Sequence, residues 1–232
     1  MQQIINNFTL HDFSEVKSTN DTAFELIINN QAFDKHIIIA HKQSSGKGRM
    51  DRKWLSFEGN LYFSTILKID NINNIYNYSL LTACILGSTL QEFNIKTYYK
   101  WPNDIIFCDK KLSGILLQMQ QINNINYLII GIGVNLKDAP DYAISLQDYN
   151  ISKEDFLNKF TKIFNQYLEQ YNNFGFLPIK NQWLKNSYKI GKKIKLSNNM
   201  EGIFKTIDDN GNLLLQDNNG KIHKILSEEV FI

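Results

Sequence analysis

Long hydrophobic runs, a disulfide framework and a strong charge of either sign are all missing from this 232-residue chain. No apolar stretch approaches the roughly 18 residues that a bilayer-spanning helix needs. The first residues, Met1 to Asn7, are polar and carry no signal-peptide pattern, so a cytoplasmic protein without a membrane partner is expected. The two cysteines, Cys84 and Cys108, have no metal-type spacing and are too few for a disulfide scaffold. Both sit among apolar residues and read as small buried hydrophobes. Proline is scarce, with three in all, while Asn and Ile abound; that bias reads as coding preference without functional signal. Twenty-five basic against 23 acidic residues leave a net charge of +2, which gives little drive toward nucleic acid. What is present is 43% hydrophobic and 21% charged residues. That composition fits a globular protein with a sizeable core, of one domain or one domain plus an appendage.

Periodicity predicts a mixture of helices and strands. Asn7 to Val16 reads as a strand, followed by a helix from Ser18, with Ser18 and Asp21 spaced as a capping box and Ala23, Leu26 and Ile27 on its apolar face. Strands are expected at His36 to His41, Asn60 to Ile69, Ile95 to Trp101, Ile105 to Cys108, Leu112 to Gln120 and Tyr127 to Asn135, with a helix over Ile75 to Phe93. The short turns between them favour a mixed or largely antiparallel sheet flanked by helices, an α+β architecture. Ser152 and Asp155 open the longest helix, whose stripe runs through Phe156, Phe160, Ile163, Phe164, Tyr167, Leu168 and Tyr171. A short helix follows over Ile179 to Leu184. After Tyr188 the pattern shifts to short alternating runs punctuated by Gly191, Asn210-Gly211 and Gly220. The expected organisation is a main domain over 1–187 and a small all-β domain over 188–232.

Four constellations carry chemistry. Gln43 to Trp54 is a loop with two glycines, four cations and a tryptophan. Its glycines admit close approach of a ligand, Arg49 offers a planar fork for a carboxylate or phosphate, and Trp54 offers a stacking face. Taken alone the segment reads equally as a solvated basic loop, and it lacks the spacing of a Walker loop. The second constellation is Lys100-Trp101-Pro102-Asn103-Asp104, followed by Lys111-Leu112-Ser113-Gly114-Ile115-Leu116. A strand ends at Pro102, a turn is expected at Asp109-Lys110, and Lys111 begins the returning strand. An ordinary hairpin with a turn lysine is the plain alternative. The third is Gly131-Ile132-Gly133-Val134-Asn135, where glycines inside an apolar strand mark a close approach of ligand or of a packing helix. The fourth is Ser18-Thr19-Asn20 at a helix start, which simple capping would also explain.

Taken in order, these segments resemble the biotin protein ligase family over nearly the whole chain. The Lys-Trp-Pro-Asn-Asp pentapeptide with Lys111 seven residues later, downstream of Gly46-Lys47-Gly48-Arg49, is the most specific part. The resemblance implies a class II synthetase-like catalytic domain with a small C-terminal β-barrel. It implies an enzyme that activates biotin with ATP and Mg2+ as biotinoyl-AMP, then transfers the acyl group to a lysine of a carrier, the biotin carboxyl carrier protein of acetyl-CoA carboxylase. Biotin would be held by Ser18, Thr19, Asn20, Gln43, Gly46, Lys47, Gly48, Arg49, Lys111 and Gly114. The nucleotide would be held by Arg49, Arg52, Trp54, Asn103, Asp104, Lys111 and Asn135. Lys111 and Arg49 would be catalytic, and Asp104 would lie beside the magnesium. Lys47 stands where the family often has arginine, and Met50 and Asp51 where it often has arginine and glycine. A homodimer through sheet edges is compatible with the resemblance but does not follow from the residues.

Lipoate and octanoate ligases share this fold type, but their glycine loop is usually a glycine run after paired arginines. Some biotin ligases are also DNA-binding repressors. Here Ser18 falls so near the start of the chain that no N-terminal DNA-binding domain, and no DNA partner, is expected.

Overall fold

The computed structural model describes residues 3–70, 72, 74–226 and 228–231. The chain divides into two compact units, Met1–Asn73 with Cys108–Lys162, and Asn74–Phe107 with Ile163–Ile232.

In the first unit, six strands stand in the order β1 (Gln3–Ile5), β2 (Phe8–Val16), β3 (His36–Gln43), β4 (Leu61–Ile69), β8 (Ile125–Val134) and β7 (Lys110–Ile122). Only β2 and β3 run parallel. Helix α1 (Thr19–Ile28) makes the crossover between them, as a parallel pair requires. It buries Ala23 and Ile27 against Ile38, Ile66, Tyr127 and Ile129. Residues of the opposite parity on β4 face the other way: Phe63 meets Phe160 of α3 (Lys153–Phe174) edge-on, at a centroid distance of 5.0 Å. With both faces covered, β4 is buried along nearly its whole length.

The second unit holds α2 (Ile75–Gln91), the antiparallel pair β5 (Tyr98–Lys100) and β6 (Asp104–Phe107), α3 from Ile163 onward, and α4 (Leu177–Lys185). It ends in a five-stranded sheet, β9 (Lys193–Leu196), β10 (Glu201–Ile207), β11 (Leu213–Gln216), β12 (Ile222–Ile225) and β13 (Val230–Phe231), in the order β12-β11-β10-β9-β13. Trp183 of α4 lies between Tyr99 and Phe204, 6.3 Å from each ring centre. No helix among the described residues is long and apolar enough to cross a membrane.

The fold class is the expected one, a mixed and largely antiparallel sheet with helices and a small C-terminal sheet. Several local expectations change. Strand β1 is additional, and β5 is shorter than Ile95 to Trp101. The Ser152–Asp155 capping box forms, with Asp155 N–H donating to Ser152 Oγ at 3.0 Å. Its counterpart at Ser18 does not: Ser18 is the N-cap of α1 but makes no side-chain cap bond. Cys84 is buried, as expected, and its thiol donates toward Ile179 O. Cys108 is exposed, because it and Asp109 form the left-handed two-residue turn before β7, one position earlier than expected. The expected hairpin at Asn210-Gly211 forms, closing through the five-residue loop 208–212 between β10 and β11. Asp208 decides this by accepting the N–H groups of Asn210 and Asn212, each at 2.9 Å. Nor is the asparagine bias structurally silent. Among the described residues, eight of the fourteen non-glycine residues at positive φ are Asn, including both residues of the turns at Asn6-Asn7 and Asn123-Asn124.

Candidate active site

The site in the first unit is built on two glycines that face each other across adjacent strands, Gly114 on β7 and Gly133 on β8. A Cβ at Gly133 would lie 2.5 Å from Trp54 Cε2, and one at Gly114 would lie 2.9 Å from Trp54 Cζ3. Only glycines therefore let the indole lie on the sheet. Lys111, at the start of β7, projects over the same ring, with Nζ 5.4 Å from its centroid. The buried Nε1 of Trp54 has no hydrogen-bond partner among the described residues. A buried donor left unmatched costs about 1–3 kcal/mol, so it stands ready for an acceptor.

The glycine loop closes on itself. Trp54 N–H donates to Gly46 O at 2.9 Å, Gly48 N–H to Arg52 O at 2.7 Å and Arg52 N–H to Arg49 O at 3.2 Å. Lys47 and Lys53 form an antiparallel bridge. Met50 and Asp51 at the tip both have positive φ, 54° and 57°, the mark of a type I′ turn. Gly46 is required by closeness, since a Cβ there would lie 2.6 Å from Trp54 O. The loop is pinned to the end of β2 by Ser44 N–H to Val16 O and Ser45 N–H to Lys17 O.

Beside the loop stands a polar cluster at the start of α1. Gln43 Oε1 accepts Thr19 N–H at 2.9 Å, and its Nε2 lies 3.4 Å from Ser56 Oγ. Ser64 Oγ lies 2.7 Å from Thr19 Oγ1 and donates to Asn20 Oδ1 at 2.6 Å. Asn20 Nδ2 donates to Gln118 Oε1 at 2.7 Å, and Asn20 is 2% exposed. The Asn20 amide is thus engaged internally at both ends. Gly131 makes room for it, because a Cβ there would meet Asn20 Oδ1 at 2.2 Å. Sequence reasoning missed Ser64 and Gln118; the available signal for Ser64 was the Ser64-Thr65 pair of hydroxyls inside the mainly apolar run of β4.

Asn135 closes β8 and is 3% exposed. Its Nδ2 donates to Ile144 O at 3.2 Å and its carbonyl accepts Leu146 N–H, while Ile144 N–H donates to Lys111 O at 3.0 Å. The segment after β8 is thereby tied to the root of Lys111. Asn103 and Asp104 belong to the second unit. Asp104 opens β6 opposite Lys100, the Trp101–Pro102 peptide is cis, and Ser79 Oγ donates to Pro102 O at 2.9 Å. Trp101 Nε1 donates to Gly211 O at 2.9 Å, tying the pentapeptide to the Asp208–Asn212 loop. No cluster of three or more His, Cys, Asp or Glu side chains suited to a metal occurs among the described residues.

Residues 13–135 match the biotin/lipoate A/B protein ligase family, a span that holds every site residue named above. The chain belongs to that family. Residues 190–232 match the biotin protein ligase C terminal domain, which places the chain on the biotin side of it. The chain is 35% identical to the bifunctional ligase/repressor BirA of Bacillus subtilis, over 93% of this chain and 71% of that one. It is 29% identical to a biotin–[acetyl-CoA-carboxylase] ligase of Paracoccus denitrificans, over 84% and 89%. The Aquifex aeolicus biotin protein ligase solved with biotin and ATP superposes with a TM-score of 0.81 at 28% identity, covering 96% of this chain and 97% of that one.

Proposed function

We propose that the protein is an ATP-dependent biotin ligase that forms biotinoyl-AMP and transfers the biotinoyl group to a carrier-protein lysine. The observation that carries this reading is the row from Thr19 and Gln43, through Gly46, to Trp54 and Lys111 over the Gly114–Gly133 floor. Amide and hydroxyl groups at one end suit a cyclic urea. The glycine floor seats the Trp54 indole, an apolar wall beside the cation, and the cation suits the carboxylate at the far end of the acyl chain.

The first step joins two anions, so charge and alignment carry most of the catalysis. Lys111 and Arg49 are proposed to hold the biotin carboxylate against the α-phosphate. The carboxylate oxygen attacks phosphorus, the bond to the bridging oxygen breaks, and pyrophosphate leaves. Ser18, Thr19, Gln43 and the backbone of Gly46 to Gly48 are proposed to bind the ureido ring. Trp54, Arg52 and Asn103 are proposed for the nucleotide, and Asn135 acts through the segment that it ties to Lys111. In the second step the carrier amine attacks the acyl carbon and AMP leaves. The closed glycine loop keeps water from the mixed anhydride meanwhile.

The described residues supply no carboxylate cage for a metal, but Mg2+ commonly binds through one or two carboxylates together with substrate phosphates. Asp104 is the proposed protein ligand for magnesium carried by the nucleotide, where it would offset phosphate charge. A carrier domain of acetyl-CoA carboxylase is the proposed partner, in the cytoplasm, with no DNA partner given the net charge of +2. A catalytic part over 1–187 and a β domain over 188–232 remain the proposed division of labour.

The test is pyrophosphate exchange into ATP with biotin or lipoate, followed by transfer of labelled biotin to a carrier domain. Exchange with biotin and labelling of the carrier lysine are expected. Exchange with lipoate alone would overturn the reading.

A further inference from the structure

The glycine loop makes a contact with α1 that the proposed chemistry leaves unused. Asp21 stands in the first turn of α1, where it would complete a capping box, yet Ser18 makes no side-chain cap. The Asp21 carboxylate instead reaches the glycine loop, with Oδ1 2.6 Å from Lys47 Nζ. Lys47 lies between the two loop glycines and directly opposite Lys53 in the loop's bridge. Like charges directly opposite one another are destabilising. The loop crowds Lys47, Arg49, Arg52 and Lys53 into seven residues, with Asp51 as its one acid. A compact arrangement of these cations opposes itself, and Asp21 brings a negative charge from outside.

We propose that Asp21 is a positioning residue that latches the glycine loop to α1 through Lys47, and so sets how long the loop stays closed over the acyl-adenylate. The consequence for the adenylate rests on the biotin ligase reading; the latch itself does not. Both partners are partly solvent-exposed, so the effect is modest, a few-fold in the closed population, and screened by salt.

Limited trypsin digestion of the full-length protein, with cut sites located by mass spectrometry, reads the latch without any ligand, because the loop carries Arg49, Arg52 and Lys53. Asp21→Asn is expected to speed loop cleavage about two- to fivefold. Added salt should bring the wild type toward the mutant rate while leaving the mutant nearly unchanged. The exchanged pair, Asp21→Lys with Lys47→Asp, should restore slow cleavage. Unchanged cleavage in Asp21→Asn would overturn the latch. Faster cleavage that is insensitive to salt and not restored by the exchanged pair would also overturn it, because it would mean lost packing instead of lost charge. In a second arm, biotin and ATP are added with serum albumin as bystander. More albumin labelling relative to carrier labelling by Asp21→Asn extends the latch to adenylate retention. Equal labelling ratios beside faster cleavage would overturn that extension. If the wild type makes no adenylate at all, the ligase reading has failed while the digestion result still decides the latch.

Discussion

Lys111 is half-buried, with its ammonium over an indole. Its ammonium stands 5.4 Å from the Trp54 ring centre, and Gly114 leaves the room that its stem occupies. Replacing it by alanine removes a cation–π contact worth about 1 kcal/mol, so the melting temperature should fall by only a few degrees. Loss of one aligned charge from the adenylation transition state should slow biotin-dependent pyrophosphate exchange on the order of 100-fold. Near-normal exchange in Lys111→Ala would remove it from the catalytic set. Arg49 sits at the base of the loop's turn, away from the core. Arg49→Gly should remain folded, make the adenylate and lose it early, since a charge-assisted hydrogen bond is worth roughly 1.5–3 kcal/mol, or about 10- to 100-fold in retention. Serum albumin labelled more strongly by the mutant than by wild type is the expected readout; weaker labelling would confine Arg49 to the first step. Asn20, like its neighbour Thr19, is held by internal hydrogen bonds. With its amide engaged by Ser64 and Gln118, its consequence is the alignment of α1 on the sheet.

At the level of elements, the chain turns repeatedly through pairs of left-handed residues. Asn6-Asn7 and Asn123-Asn124 use a residue that tolerates positive φ, whereas Met50-Asp51 and Cys108-Asp109 do not use the favoured pair. In the glycine loop this leaves Met50 in a conformation that costs an ordinary side chain on the order of 1 kcal/mol. Exchanging Met50-Asp51 for Asn-Gly should therefore favour the closed hairpin by about 1 kcal/mol. Trypsin cleavage at Arg49 and Arg52 should slow about fivefold, and unchanged cleavage would show that the tip does not limit opening. The asparagine turns use a residue whose tolerance of positive φ is a local property, yet the asparagine excess read as coding preference and Asn7 as part of a strand. The left-handed pairs at Met50 and Cys108 were not legible in the sequence, because their conformation is imposed by the strands or bridges on either side and not by the residues themselves.

Across the whole molecule, the parallel seam between β2 and β3 carries a pH dependence of stability. His11 Nε2 and His36 Nδ1 lie 2.9 Å apart. Burial lowers the pKa of both below the usual 6.5; for His36 the neighbouring His11 lowers it further, and Asp34 acts in the opposite direction. A base whose pKa is depressed in the folded state binds fewer protons there than in the unfolded chain. Stability is therefore fully present above the unfolded pKa, and is lost as pH falls from about 6.5 through the lower folded values. The melting temperature should decline as pH falls below about 6.5. His36→Gln should flatten that decline, and an unchanged slope would locate the pH dependence elsewhere.

Strong periodicity and adjacent residues were enough to read most elements: the helical stripe from Phe156 to Tyr171, the alternating runs after Tyr188 and the four motif-bearing segments. Local physics determines these, since burial of one face and the steric freedom of glycine act over a few residues. The family too was readable, because the motif order survives in one dimension. Tertiary structure alone decided which residue fills the space each glycine leaves. Gly133 and Gly114 admit Trp54, from 60 or more positions earlier in the chain, while Gly131, two residues from Gly133 on the same strand, admits Asn20. Tertiary structure also decided that Asp21 reaches Lys47 instead of capping its own helix, and that Cys108 faces solvent. Each of these is a contest between a local partner and a distant one. A sequence displays the local partner, whereas the distant one exists only once the sheet has brought the segments into contact.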